Sequence, residues 1–277
     1  MITLFSTPKP FVGHVGVIQR NAILSWQRLH PDVEIILVGE DAGTAEVCAE
    51  FGIRHIASVK RNRYGTKYLA DIYERAQAAA RHDVLCHVNC DIILKSDFQR
   101  GVQRVAAERK RFLMAGRRWD VNLPSAIDFS SGDWEARVDR LAVETDRQRP
   151  PQWIDYFVFS RGLYDRQIPE FVVGRPGWDN WLLWYPLSIG VPVVDASRVV
   201  RAVHQNHDYG YHPEGEKGVG KARRRRRITG CITGNSLLWR MLRICWGLGG
   251  FGGIMGRRGF WRGSMRRVGG IGFGLRC

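Results

Sequence analysis

No apolar run in this chain reaches the ~18–20 residues that a membrane-spanning helix needs, so a polytopic membrane protein is not expected from its 277 residues. Its start, MITLFSTPKPF, lacks a basic segment followed by a long apolar stretch, and no secretory signal is expected. The six cysteines (Cys48, Cys86, Cys90, Cys231, Cys245, Cys277) include no close pair at zinc or redox spacing. Cys86 and Cys90 share one apolar run and read as buried thiols. Together these absences point to a reducing, cytoplasmic setting. No internal repeat is found. No glycine appears between the first apolar run and Gly13. The Gly-rich phosphate loop of an enzyme that makes sugar nucleotides is therefore missing.

Acidic residues are also absent after Glu216, where Lys217–Cys277 holds 15 Lys and Arg. Taking those from the total of 42 leaves 27 basic against 27 acidic residues in Met1–Glu216, so the net charge of +15 belongs to the tail. Of the 31 glycines, 16 lie beyond Glu216, which opposes a long helix there. Residues 1–216 thus read as the folded domain and 217–277 as a basic Gly/Arg/Trp-rich tail, disordered or aberrant. Such a tail fits a nucleic-acid or anionic-membrane arm working through Arg223–Arg227, a disordered extension, or an out-of-frame end. The charge balance of the body demands no basic face, so a nucleic-acid partner is not expected. Weak contact of the tail with anionic lipid, placing the protein peripherally at a membrane, stays open.

Within the body, short β-branched apolar runs alternate with segments of helical period. Strands are expected at Ile2–Phe5, Val33–Val38, Ile53–Ile56, Val84–Val88, Phe112–Ala115, Ile154–Ser160, Val191–Val194 and Val199–Gln205. Helices are expected at Gly16–Leu29, Thr44–Phe51, Thr66–Ala80, Asp97–Glu108, Trp134–Leu141 and Asp179–Ser188. Such alternation predicts an α/β fold of right-handed βαβ units on a mainly parallel sheet. Ligands bind such sheets outside the carboxyl ends of the strands. That rule selects Ser6-Thr7, Gly39-Glu40 and Asn89-Cys90-Asp91.

Three segments carry candidate chemistry. In VLCHVNCDIIL, Asp91 follows a buried strand, where a carboxylate can hold a divalent cation against a diphosphate or simply cap the next turn. In GRPGWDNW, Asp179 opens a helix, as an N-cap or as the base that takes a proton from an attacking hydroxyl. Trp178 beside it can offer a sugar a stacking face or fill the core. In VHQNHDY, His204 and His207 end a strand and can act as metal or phosphate ligands or as structural residues.

The order of these segments resembles the GT-A glycosyltransferases, over roughly Met1–Tyr209. In that family a D-x-D motif after the central strand binds metal and sugar nucleotide; here it reads Asn89-Cys90-Asp91, with the first Asp replaced. The resemblance implies a single GT-A domain with a Rossmann-like, mainly parallel sheet flanked by helices. It implies Mn²⁺ or Mg²⁺ on Asp91 and His204, with His207 as competitor, and Asp179 as the base of an inverting transfer. The donor would be a nucleoside-diphosphate sugar and the acceptor a hydroxyl. Ser6, Thr7, Glu40, Arg63, Thr66, Asn89 and Asp91 would bind the nucleotide sugar. Arg117, Asp120, Asp155 and Trp178 would contact sugar or acceptor. The alternatives are a catalytically inactive relic of the family and a nucleic-acid-binding protein acting through the tail.

Overall fold

The structure is a computed structural model that describes residues 1–146 and 148–207. The expected boundary at 216, the basic tail and the readings that depend on it lie outside the described residues.

The elements follow the expected alternation closely. β1 (Thr3–Ser6), α1 (Gly13–Gln27), β2 (Glu34–Val38), α2 (Thr44–Phe51), β3 (Arg54–Ile56), α3 (Leu69–Ala79) and β4 (Val84–Val88) form the first half. Then come β5 (Ile92–Ile93), α4 (Ser96–Glu108), β6 (Leu113–Val121), α5 (Trp134–Thr145), β7 (Ile154–Ser160), α6 (Trp178–Ser188), β8 (Val193–Asp195) and β9 (Ala202–Gln205). The nine strands make one sheet in the order β3-β2-β1-β4-β7-β6-β9-β5, with β8 on β6. β1, β2, β3 and β4 pair in parallel, whereas β7 runs antiparallel between β4 and β6.

The apolar runs are continuous because both sheet faces are covered. Along β2, Ile35 and Leu37 enter a core with Trp26 and Phe98, while Ile36 and Val38 enter another with Leu69, Tyr73 and Leu182. Trp26 is fully buried, and its indole N–H donates to the Ile92 carbonyl at 2.8 Å. Truncating such a side chain costs about 3–5 kcal/mol. Here it would also release the short strand that follows the Asp91 turn.

Several boundaries differ from expectation; α1 starts three residues earlier, at Gly13, and α5 runs on to Thr145. β6 runs on to Val121 because its charged residues are paired inside the protein rather than solvated, so polarity did not end the strand. β5 is an additional two-residue strand held by β9. α3 starts at Leu69, not Thr66, since Arg61 and Lys67 form a bridge and Tyr68 bridges Val172. The strand expected from Val199 begins at Ala202, as Val199 and Val200 turn back onto the Ala196 carbonyl at 3.0 and 2.9 Å. Within β6 the register shifts between Ala115 and Arg117. Gly116 sits at that irregularity, and a Cβ there would lie 2.2 Å from Tyr156 Oη.

Candidate functional site

A pocket of about 230 Å³ opens at the carboxyl ends of β1 and β4, where the strand rule placed it. Thr7, Lys9, Gln19, Lys67, His87, Asn89, Asp91 and Trp178 are among its lining residues. Four expected residues (Thr7, Asn89, Asp91, Trp178) therefore share one pocket.

Asp91 lies in the turn between β4 and β5. Two strands distant in sequence bring the histidines to it. β9 pairs β5 with His204 opposite Ile92, and Gln205 N–H donates to the Asp91 carbonyl at 3.2 Å. The fully buried Gln205 side chain also donates to the Ile18 carbonyl at 2.8 Å and accepts from Asn21 at 2.9 Å, so α1 clamps the arrangement. His204 Nε2 is then 3.7 Å and His207 Nε2 3.3 Å from Asp91 Oδ2. One ligand atom from each of Asp91, His204 and His207 falls within 4.8 Å of the others. Asp91 Oδ1 is buried and accepts no hydrogen bond among the described residues. Burial pushes this carboxyl upward, but His204, His207 and Lys9 outweigh it and hold Asp91 below the usual carboxylate range. One carboxylate and two imidazoles, with the second carboxylate oxygen unpartnered among the described residues, suit a divalent cation.

A second layer supports this cluster. His204 Nδ1 lies 3.3 Å from Asp120 Oδ1, across the β6–β9 register that puts the two residues opposite each other. Asp120 is fully buried and also takes Arg118 Nε at 2.9 Å and Arg149 Nε. Arg118 Nη1 reaches Asp155 Oδ2 at 2.5 Å, and Asp155 Oδ1 accepts from Asn89 Nδ2 at 2.7 Å. Burial raises and these partners lower the Asp120 carboxyl, with a net shift downward.

Two lysines line the pocket. Lys9 Nζ is 3.2 Å from His207 Nε2, and Gln19 fixes the Lys9 backbone through both its N–H and its carbonyl. Lys67, almost fully buried, donates to Thr7 Oγ1 at 2.9 Å, to the Pro8 carbonyl at 3.3 Å, and to Asp41. Gly39 allows this approach: its φ is +122°, and a Cβ there would stand 2.7 Å from Lys67 Nζ. Neither lysine was singled out from the sequence, because each is one basic residue in a loop. The Pro-Lys-Pro context of Lys9 after the first strand was the available signal.

The remaining expected residues lie outside the pocket lining. Ser6 is fully buried at the end of β1. Glu40 is exposed and pairs with Arg61 at 3.5 Å. Arg63 is exposed, with its guanidinium over the Tyr64 ring at 4.8 Å. Thr66 N–H donates to Asn62 Oδ1 at 3.0 Å, one residue before Lys67. Arg117 N–H donates to Ser197 Oγ at 2.8 Å. Asp179 is half-buried in the first turn of α6, next to Trp178, and its Oδ1 accepts from Asn180 and Gly177 N–H at 2.9 and 3.3 Å. The cap position itself is Gly177, in the left-handed region at φ 111°. Cys48, Cys86 and Cys90 are buried free thiols, as expected for Cys86 and Cys90, and burial raises the pKa of all three. Among the described residues no helix is long and apolar enough to cross a membrane.

No family model matches the chain, and no curated protein matches it. Solved structures do. Residues 1–349 of S. aureus TarS in complex with UDP-GlcNAc match at 10% identity and TM-score 0.52, over 88% of this chain and 66% of that one. Mannosyltransferase PcManGT from Pyrobaculum calidifontis, in complex with GDP-Man and Mn²⁺, matches at 14% identity and TM-score 0.50, over 88% and 69%. The chain spans 60–66% of the length of the TarS fragment. At these identities the likeness is one of fold: the curled nine-strand sheet flanked by helices is the GT-A fold.

Proposed function

We propose that this chain is a glycosyltransferase that moves a sugar from a nucleoside-diphosphate donor to an acceptor hydroxyl, with a divalent metal at the diphosphate. The convergence of Asp91, His204 and His207 beside the pocket that Asp91 lines carries this reading. The donors named for the two solved neighbours, UDP-GlcNAc and GDP-Man, agree with it in class.

Asp91, His204 and His207 would hold the metal. Two imidazoles in the set favour Mn²⁺ over Mg²⁺, which prefers carboxylates and waters. When bound, the ion offsets the charge that grows on the departing diphosphate. Lys9 brings a positive charge to the same pocket, and Lys67, paired with Asp41, ties Thr7 and the Pro8 carbonyl in place there. Thr7 and Asn89 offer neutral polar groups to the nucleotide, and Trp178 gives the sugar a flat apolar wall. Asp179 acts as base: the acceptor oxygen attacks the anomeric carbon, its proton passes to the Asp179 carboxylate, and the bond from that carbon to the phosphate oxygen breaks. Direct displacement of this kind inverts the anomeric centre. Ser6, Glu40, Arg63 and Thr66 support the nucleotide end, and Arg117 the acceptor end. Asp120 and Asp155 act through their neighbours.

Isothermal titration with UDP and with GDP, each with and without Mn²⁺, tests the reading. Metal-dependent binding of one nucleotide that disappears in Asp91→Ala is expected. Wild-type protein that stays folded and binds neither would refute it.

A further inference from the structure

The chain departs from the D-x-D pattern at Asn89, and the structure gives a physical reason. A carboxylate supplied by β7 already stands beside that residue. Asn89 follows β4, and its backbone N–H donates to the Asp155 carbonyl at 2.9 Å. Its amide nitrogen donates to Asp155 Oδ1 at 2.7 Å, while Arg118 holds Asp155 Oδ2 at 2.5 Å. Asp155 is 8% exposed, so an unscreened second carboxylate at position 89 would meet it as a like charge. The same Arg118 holds Asp120 at 2.9 Å, and Asp120 faces His204 Nδ1 at 3.3 Å.

We propose that Asp155, Arg118 and Asp120 form one positioning relay with the binding site at both ends. At one end Asp155 engages the Asn89 amide nitrogen, which leaves the amide oxygen to the pocket that Asn89 lines. At the other, Asp120 Oδ1 stands 3.3 Å from His204 Nδ1, a contact that favours the tautomer presenting the Nε2 lone pair beside Asp91. Asn89 is required to be neutral. The stacking of Arg118 on Trp153, at 4.8 Å, holds the middle of the relay in place.

This inference rests on the proposed metal and nucleotide site, and its test separates the two. Titrations would use MnCl₂ alone, then UDP or GDP, whichever the wild type binds, at saturating Mn²⁺. The proteins are the full chain and its Asp120→Asn, Asn89→Asp and Asn89→Asp/Asp155→Asn variants, each checked for folding by circular dichroism. Asp120→Asn should weaken Mn²⁺ binding by roughly 10- to 100-fold, a shift that a merely structural role would not produce in the folded fraction. Asn89→Asp, although it restores the D-x-D sequence, should weaken nucleotide binding by about tenfold or more. Exchanging the charge back in Asn89→Asp/Asp155→Asn should recover most of that loss. Tighter binding by Asn89→Asp alone, or an unchanged Mn²⁺ affinity in Asp120→Asn, would overturn the relay while leaving the site reading intact. A folded wild type that binds neither metal nor nucleotide would sink both.

Discussion

Lowering the pH from 7 to 5 should destabilise this protein through a residue in the wall of its own cleft. His87, on β4, is 3% exposed and packed among Phe5, Tyr73, Phe157 and Trp178, with ring centroids 5.2 to 6.3 Å away. Its Nδ1 has no hydrogen-bond partner among the described residues. Burial alone pushes the imidazole down to about 3, against an ordinary value of 6.5. The folded state therefore keeps His87 neutral while the unfolded chain takes up a proton below its ordinary pKa. Stability from this group is complete above that ordinary value and falls as the pH drops toward 3. One proton bound only by the unfolded state costs ~1.4 kcal/mol per pH unit. Across the titration of the unfolded imidazole this amounts to about 2 kcal/mol between pH 7 and 5. Urea melts at half-unit steps would read it as a falling midpoint at constant slope. His87→Phe, which keeps a ring among rings, should remove the pH dependence whatever it does to stability at pH 7. A wild-type minus variant difference that stays flat from pH 7 to 5 would show that His87 is not held neutral, and would refute the reasoning.

Two further outcomes are expected. Gly116→Ala would drive a methyl to 2.2 Å from Tyr156 Oη, and should cost about 1–3 kcal/mol in urea unfolding. Because that hydroxyl is buried without a hydrogen-bond partner among the described residues, Gly116→Ala/Tyr156→Phe should recover much of the loss; no recovery would place the strain elsewhere. Asp179→Asn should lower turnover by about 10²–10⁴-fold at saturating donor and acceptor while nucleotide affinity stays unchanged. Full turnover in that variant would remove Asp179 from the role of base.

The parallel half of the fold was legible because its strands are buried on both faces and so appear as unbroken apolar runs, as VEIILV does around β2. The same signal fails in β6. The expected strand stops at Ala115, before Arg-Arg-Trp-Asp, yet Arg118 and Asp120 are buried and satisfy each other. A hydrophobicity pattern records the transfer cost of each side chain but not the partner that offsets it. Pairing of this kind, between residues 118, 120, 149 and 155, depends on tertiary contact and leaves no period in the sequence.

The metal cluster shows where legibility turns on register. From the sequence His204 and His207 compete, since either can end the last strand. The structure brings both to Asp91 for separate reasons. His204 is aimed by the ladder: opposite Ile92 on one side and Asp120 on the other, it is held between two carboxylates. Side chains alternate along a strand, so a slip of one residue in β9 would turn His204 away and bring Val203 or Gln205 inward. Gln205 opposes that slip, since its fully buried amide bonds to α1 and to the turn that bears Asp91. His207 lies beyond the ladder, beside Lys9 of the β1–α1 loop. One histidine is therefore set by the sheet and the other by a loop at the cleft mouth.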